Sequence, residues 1–211
     1  MSRRRAKGPS RTASSSSSPL SDLDGWLQAV VATPGLTAFG DLLEAHSALV
    51  EDSLSALEVL RAGEGAIVDV GSGGGAPGIP LAFALPEREV VLLEANGRKC
   101  DFLRKWAPPN ARVVQGRVEE QETDWAGAAV AKALAPPPVA AEWCLPLVRP
   151  GGAVVLYIGP TAELERVATV AERLNAQLAE GPEGLLVLRK LGPTPEGFPR
   201  RTGVAKKRPL A

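Results

Sequence analysis

Hydrophobic positions change their spacing near Gly65. Before it, between Ser21 and about Ala62, they recur at helical intervals: Trp26, Leu27, Val30 and Val31, then Leu42, Leu43, Leu49 and Val50, then Leu54, Leu57, Val59 and Leu60. Gly35 and Gly40 interrupt the pattern, which predicts two or three short helices with Asp52 or Ser53 capping the last. After Gly65, short β-branched runs at 66–70, 90–93, 112–114, 128–131, 154–158 and 185–188 alternate with helical stretches at 77–85, 98–106, 138–148 and 162–179. The strands are apolar at nearly every position, as strands covered on both faces of a parallel sheet are. Strand–helix alternation of this kind predicts a doubly wound α/β fold.

Composition adds boundaries. The first 19 residues hold five consecutive serines and five basic side chains but no acid, so 1–19 reads as a disordered tail. The organisation expected is that tail, a short helical region over 20–62, an α/β domain over 63–197 and a basic C-terminal segment over 198–211. The two cysteines, Cys100 and Cys144, have no metal-ligand or disulfide-framework spacing, so no metal is expected and both read as small core residues. No apolar run is long enough to span a membrane, and no apolar core follows the basic start, so a cytoplasmic protein is expected. Net charge is zero, with 24 basic and 24 acidic residues. Ten of the basic residues sit at the ends (Arg3, Arg4, Arg5, Lys7 and Arg11; Arg200, Arg201, Lys206, Lys207 and Arg208), leaving 14 in the body against all 24 acids. Cationic ends on an acidic body favour a polyanion such as RNA, DNA or an anionic lipid.

Residues 67–81 read IVDVGSGGGAPGIPL. Gly71, Gly73, Gly74, Gly75 and Gly78 thus follow a buried strand and precede a helix that Pro77 or Pro80 opens. Glycines let backbone approach a ligand, and the helix start offers spare N–H donors. Glu94, closing the next strand, is placed to accept the hydroxyls of a ribose. Asp69 would repel a pyrophosphate but suits the ammonium group of an amino-acid moiety, directly or through water. The D-x-G-x-G-x-G pattern resembles the first motif of class I S-adenosylmethionine-dependent methyltransferases. The stretch LVRPGG before the strand at 153–158 is similar to the turn before the fifth strand of that class.

From Asp69 onward the chain is similar to the RsmG (GidB) family, bacterial methyltransferases of guanine N7 in small-subunit (16S) ribosomal RNA. The resemblance lies in VDVGSGGGAPGIPLA (68–82), LLEANGRKCDFLR (92–104), GRVEE (116–120), AKALAP (131–136), EWCLPLVRPGG (142–152) and FPRRTGVAKKRPL (198–210). It implies a class I methyltransferase fold: an α/β, Rossmann-like, mostly parallel sheet, with a short N-terminal helical region. It implies S-adenosyl-L-methionine as cofactor, held by Asp69, Gly71, Gly73, Gly75, Ala76, Glu94, Val118, Glu119 and Lys132. Small-subunit ribosomal RNA or the 30S particle would be the partner, with Arg200, Arg201, Lys206, Lys207 and Arg208 on its phosphates. Lys132 is the candidate catalytic residue and stands where the family usually has arginine. Ala48 and Leu49 stand where the family usually has an Arg-His pair before Asp52-Ser53-Leu54. The other readings are a methyltransferase-fold RNA- or ribosome-binding protein with reduced or no activity, and a methyltransferase for a small molecule or protein.

The residues suit that chemistry. One histidine and no nucleophile–base pair disfavour a triad hydrolase. Guanine N7 carries an in-plane lone pair and no proton, so its methylation needs alignment and exclusion of water more than a base.

Overall fold

The structure, a computed structural model, describes residues 19–159 and 163–211; the N-terminal tail falls outside them apart from Pro19. Among these residues one seven-stranded sheet runs β3-β2-β1-β4-β5-β7-β6. The strands are β1 (Ile67–Val70), β2 (Val90–Glu94), β3 (Ala111–Gln115), β4 (Ala126–Lys132), β5 (Val148–Tyr157), β6 (Ala176–Ala179) and β7 (Leu185–Lys190). β1 to β5 pair in parallel, while β7 is antiparallel to both β5 and β6. The strand order reverses at β1, flanked by β2 and β4. In open α/β sheets that point leaves a crevice beyond the strands' carboxyl ends.

Alternate side chains enter different cores. Ile67, Val90, Leu92, Val130 and Val155 pack on the face that receives Trp26, Val30 and Ile79. Val68, Val70, Val91, Val154 and Leu156 pack on the face that receives Ala141, Val167 and Val170. The first face is covered by α1 (Pro19–Ala32), α2 (Leu42–His46), α3 (Asp52–Leu54), α4 (Leu57–Arg61), α5 (Gly78–Ala84) and α6 (Gly97–Trp106). The second is covered by α7 (Pro137–Cys144), α8 (Leu164–Arg173) and the short α9 (Val204–Lys207). Burying both faces explains why the inner strands are apolar at nearly every position.

Three sequence expectations need correction. Asp52 and Ser53 do not cap a helix. A π-helical turn, Ser47–Glu51, joins α2 to α3 without a break, and the cap is Asp41, whose Oδ1 accepts from the N–H groups of Leu43 (2.9 Å) and Glu44 (3.1 Å). Inside that helix Ser53 Oγ donates back to the Leu49 carbonyl at 2.7 Å. The stretch at 162–179 is not one helix either: α8 ends at Arg173 and β6 follows. Asn175 turns the chain with φ +53°, and its carbonyl accepts from Leu191 at 2.7 Å and Gly192 at 3.2 Å. β6 is an edge strand whose Gln177 and Leu178 are exposed, so it lacks the apolar signature of its neighbours. The helix expected at 138–148 ends at Cys144, and a 3₁₀ turn, Leu145–Leu147, leads straight into β5.

Candidate active site

The turn after β1 makes the site possible. A Cβ at Gly78 would lie 2.4 Å from Leu92 Cδ2 and 2.5 Å from Asp69 Oδ2, so only glycine lets α5 start this close to the sheet. Gly71 and Gly75 are closed by Leu134 and Ile79 in the same way. Gly73 differs. Its φ is +57°, and a Cβ there would find nothing nearer than Gly71 O at 3.7 Å. Gly74 is closed too, by Val30 Cγ2 at 2.7 Å and Leu36 O at 3.0 Å, so the loop keeps four glycines for packing and one with open space above it. The Trp26 indole N–H, 2.8 Å from Gly74 O, fastens the loop to α1.

Two carboxylates brace this loop. Asp69 points from β1 to the α5 side and is 1% exposed. Its Oδ2 accepts from the Gly78 N–H at 3.0 Å, while Oδ1 is buried without a partner. Burial raises its pKa to about 7, and the hydrogen bond from the Gly78 N–H offsets that only in part. Sequence reasoning placed Asp69 against a ligand's ammonium group. The structure sets it beneath the loop, bordering neither cleft described below. Glu94, at the end of β2, accepts from Gly73 N–H at 3.0 Å through Oε2 and from Asn96 N–H at 2.8 Å through Oε1. Asn96 in turn caps α6, its Oδ1 accepting from the N–H groups of Arg98 and Lys99 at 3.0 and 3.3 Å.

Two clefts open beyond the strand ends. The first, about 360 Å³, is bordered by Gly71, Glu94, Val118, Glu119, Trp143 and Lys206. The second, about 570 Å³, lies under the N-terminal helices and is bordered by Trp26, Phe39, Asp52, Gly73, Ala76 and Lys132. They share Gly71, Lys99 and Ala133. The fold thus gathers Gly71, Glu94, Val118 and Glu119 on one side and Gly73, Ala76 and Lys132 on the other. Gly75 borders neither cleft, because its α-carbon is enclosed by Ile79 and Trp26.

Lys132 ends β4 beside Tyr157, its partner on β5. Its ammonium group pairs with Asp52 Oδ2 at 2.5 Å, donates to the Ala48 carbonyl and lies 5.4 Å from the Tyr157 ring centroid. The Tyr157 hydroxyl donates to Ser53 O at 2.5 Å, and burial pushes that phenol well above its ordinary pKa. Two adjacent strand ends therefore hold the α2–α3 helix over the second cleft. Asp52, Tyr157, Lys99 and Trp143 escaped sequence reasoning. Tyr157 had one available signal, its place at the carboxyl end of a parallel strand.

The basic C-terminus is docked. Arg200 meets Glu142 with both arms of its guanidinium, Nε–Oε1 at 2.5 Å and Nη2–Oε2 at 2.6 Å, and Nη2 also donates to Arg208 O at 2.9 Å. Arg200, expected on RNA phosphate, is committed within the fold. Arg201, Lys206, Lys207 and Arg208 remain exposed. Cys100 and Cys144 are buried, and burial raises both thiols, as inert core residues require. Among the described residues, no helix is long and apolar enough to cross a membrane and no group of three or more acidic, histidine or cysteine side chains could hold a metal.

The model of the GidB family, described as rRNA small subunit methyltransferase G, matches residues 20–180. The chain belongs to that family. Relatives include the ribosomal RNA small subunit methyltransferase G of Rubrobacter xylanophilus, 42% identical over 76% of this chain and 71% of that protein. The protein of the same name from a Thermotoga species (strain RQ2) is 35% identical over 89% of this chain and 90% of its own length. Among solved structures, the S-adenosylmethionine-dependent methyltransferase SibL in its apo form superposes with a TM-score of 0.57 at 16% identity, covering 78% of this chain and 62% of that one. A TehB-like methyltransferase from Corynebacterium glutamicum superposes at 0.50 with 22% identity over 65% and 87%. The fold is that of class I methyltransferases and the cofactor is S-adenosylmethionine. The site suits a GidB-family cofactor: Gly73 leaves backbone open to a ligand, and Glu94 presents a carboxylate in the first cleft.

Proposed function

We propose that this protein methylates N7 of a guanine in small-subunit (16S) ribosomal RNA, acting in the cytoplasm on the RNA or the 30S particle. The observation that carries this reading is the meeting of two unlike clefts at Gly71, Lys99 and Ala133. The first suits a nucleoside, with Glu94 to receive the ribose diol and Val118 beside the base. The second, bordered by Trp26, Leu36 and Phe39, suits a flat unpaired base, as a flipped or looped-out nucleotide presents.

When bound, S-adenosylmethionine supplies an electrophilic methyl group on a sulfonium that is already a good leaving group. The chain's own residues do the rest. The Gly71–Gly78 loop fixes the approach, Glu94 orients the ribose end, and the N-terminal helices exclude water. Among the described residues, Asp52 is the one carboxylate bordering the second cleft, and its pairing with Lys132 leaves no free base among them. That favours a ring nitrogen with a lone pair over an amino group that must lose a proton. Lys132, paired to Asp52 and placed at the strand ends, positions the α2–α3 helix as the lid of the second cleft and keeps that cleft's charge balanced.

The test is incubation of the protein with methyl-labelled cofactor and small-subunit particles, followed by mapping of the labelled base. Label on N7 of one guanine is expected. Cofactor binding without transfer to any ribosomal substrate would favour a non-catalytic RNA-binding role, and transfer only to a small molecule or protein would favour the remaining reading.

A further inference from the structure

Residues 198–211 carry five basic side chains, yet the segment is folded against the core. Phe198, Leu210 and Ala211 pack on the α7–α8 face, and Ala205 is buried. Arg200 grips Glu142, which is 3% exposed. The Gly203 N–H donates to Glu119 Oε1 at 2.9 Å, and Thr202 Oγ1 to Glu120 Oε1 at 3.4 Å. The anchors matter because of their neighbours. Glu142 precedes Trp143, and Trp143, Glu119, Gly203 and Lys206 all border the first cleft. The Trp143 Nε1–H is buried and, among the described residues, has no hydrogen-bond partner, so the ring is held at that wall by packing alone.

We infer that Arg200 is a positioning residue for cofactor binding: its pairing with Glu142 makes the C-terminal segment one wall of the first cleft, with Lys206 facing the cofactor rather than RNA. This rests on the reading that the first cleft takes S-adenosylmethionine. A guanidinium fork on a buried carboxylate fixes both direction and distance, which a lysine cannot reproduce. Held that way, Gly203 and Lys206 border the same cleft as Glu94. Without it, Glu142 is a buried charge with no counter-ion, and the wall has lost its anchor.

The experiment measures cofactor affinity by equilibrium dialysis, KM for cofactor, and the salt dependence of 30S binding. It compares the parent with Arg200→Ala, Arg200→Lys and Lys206→Ala at a temperature where circular dichroism shows each folded. Arg200→Ala and Lys206→Ala are expected to weaken cofactor binding tenfold or more and raise KM for cofactor by the same factor, with kcat and the salt slope of 30S binding unchanged. Arg200→Lys is expected to fall between Ala and parent. Parental cofactor affinity in both alanine variants overturns the inference, as does a loss of about one unit of salt slope in Arg200→Ala, the mark of a lost phosphate contact. Should Arg200→Ala fail to fold, parental affinity in Lys206→Ala and Arg200→Lys overturns it equally. A parent that binds no S-adenosylmethionine removes the reading of the cleft, and this inference with it.

Discussion

Asp69 concentrates the site's electrostatics in one side chain. In the unfolded chain it titrates near 3.8 and in the fold at about 7. Between those values the folded protein holds a proton that the unfolded chain has released, so the contribution of Asp69 to stability falls as pH rises through that interval and stays lost above it. Asp69→Asn keeps an oxygen for the Gly78 N–H and has no charge to bury. The melting temperature of this variant relative to the parent is therefore expected to climb from pH 5 to pH 8 by scanning calorimetry; a constant difference would mean that Asp69 is already ionised at pH 5. Gly73 is the complementary case. Because space above it is open, Gly73→Ala should fold at a cost of about 1–2 kcal/mol for its left-handed backbone while losing most cofactor affinity. Calorimetric titration giving parental affinity in the folded variant would place the cofactor elsewhere.

At the scale of elements, the helix formed by α2, the π-turn and α3 depends on the ends of β4 and β5. Lys132 ties it through Asp52 and Ala48, and Tyr157 through Ser53. Tyr157→Phe removes one hydrogen bond to a part-buried carbonyl and should lower unfolding free energy by about 1 kcal/mol in urea melts. Lys132→Ala should also leave Asp52 without its cation and reduce methylation at least tenfold, equivalent to about 1.4 kcal/mol or more of transition-state stabilisation. Lys132→Arg restores the charge and should retain activity. If Lys132→Ala turned over like the parent, the lid's anchor would be irrelevant to the reaction.

For the molecule as a whole, charge separates into an acidic body and a basic C-terminal edge. Arg200 is paired with Glu142 and Lys206 borders the first cleft, so of the five C-terminal cations expected on phosphate Arg201, Lys207 and Arg208 remain. Replacing those three by alanine is expected to flatten the salt dependence of RNA binding by roughly 0.9 unit per lost contact without changing cofactor affinity. Filter binding across a salt series decides this, and an unchanged slope would leave these side chains as solvated surface.

The sequence by itself determined the sheet's inner strands, the glycine turn and Glu94's place, because their signals are local. A strand covered on both faces must be apolar throughout, and backbone that turns tightly beside a helix must lack side chains. Edge strand β6 carried no such signal, since its outer residues meet water, and neither did the π-turn, whose spacing matches ordinary helix. Only tertiary structure decided what the charged residues do. Asp69 lies beneath the loop, Lys132 is paired with Asp52, and Arg200 is locked on Glu142, 58 positions away along the chain. Charge partners are chosen by distance in space, which the register of β4 on β5 and the docking of α9 on α7 set, and no spacing along the chain encodes it.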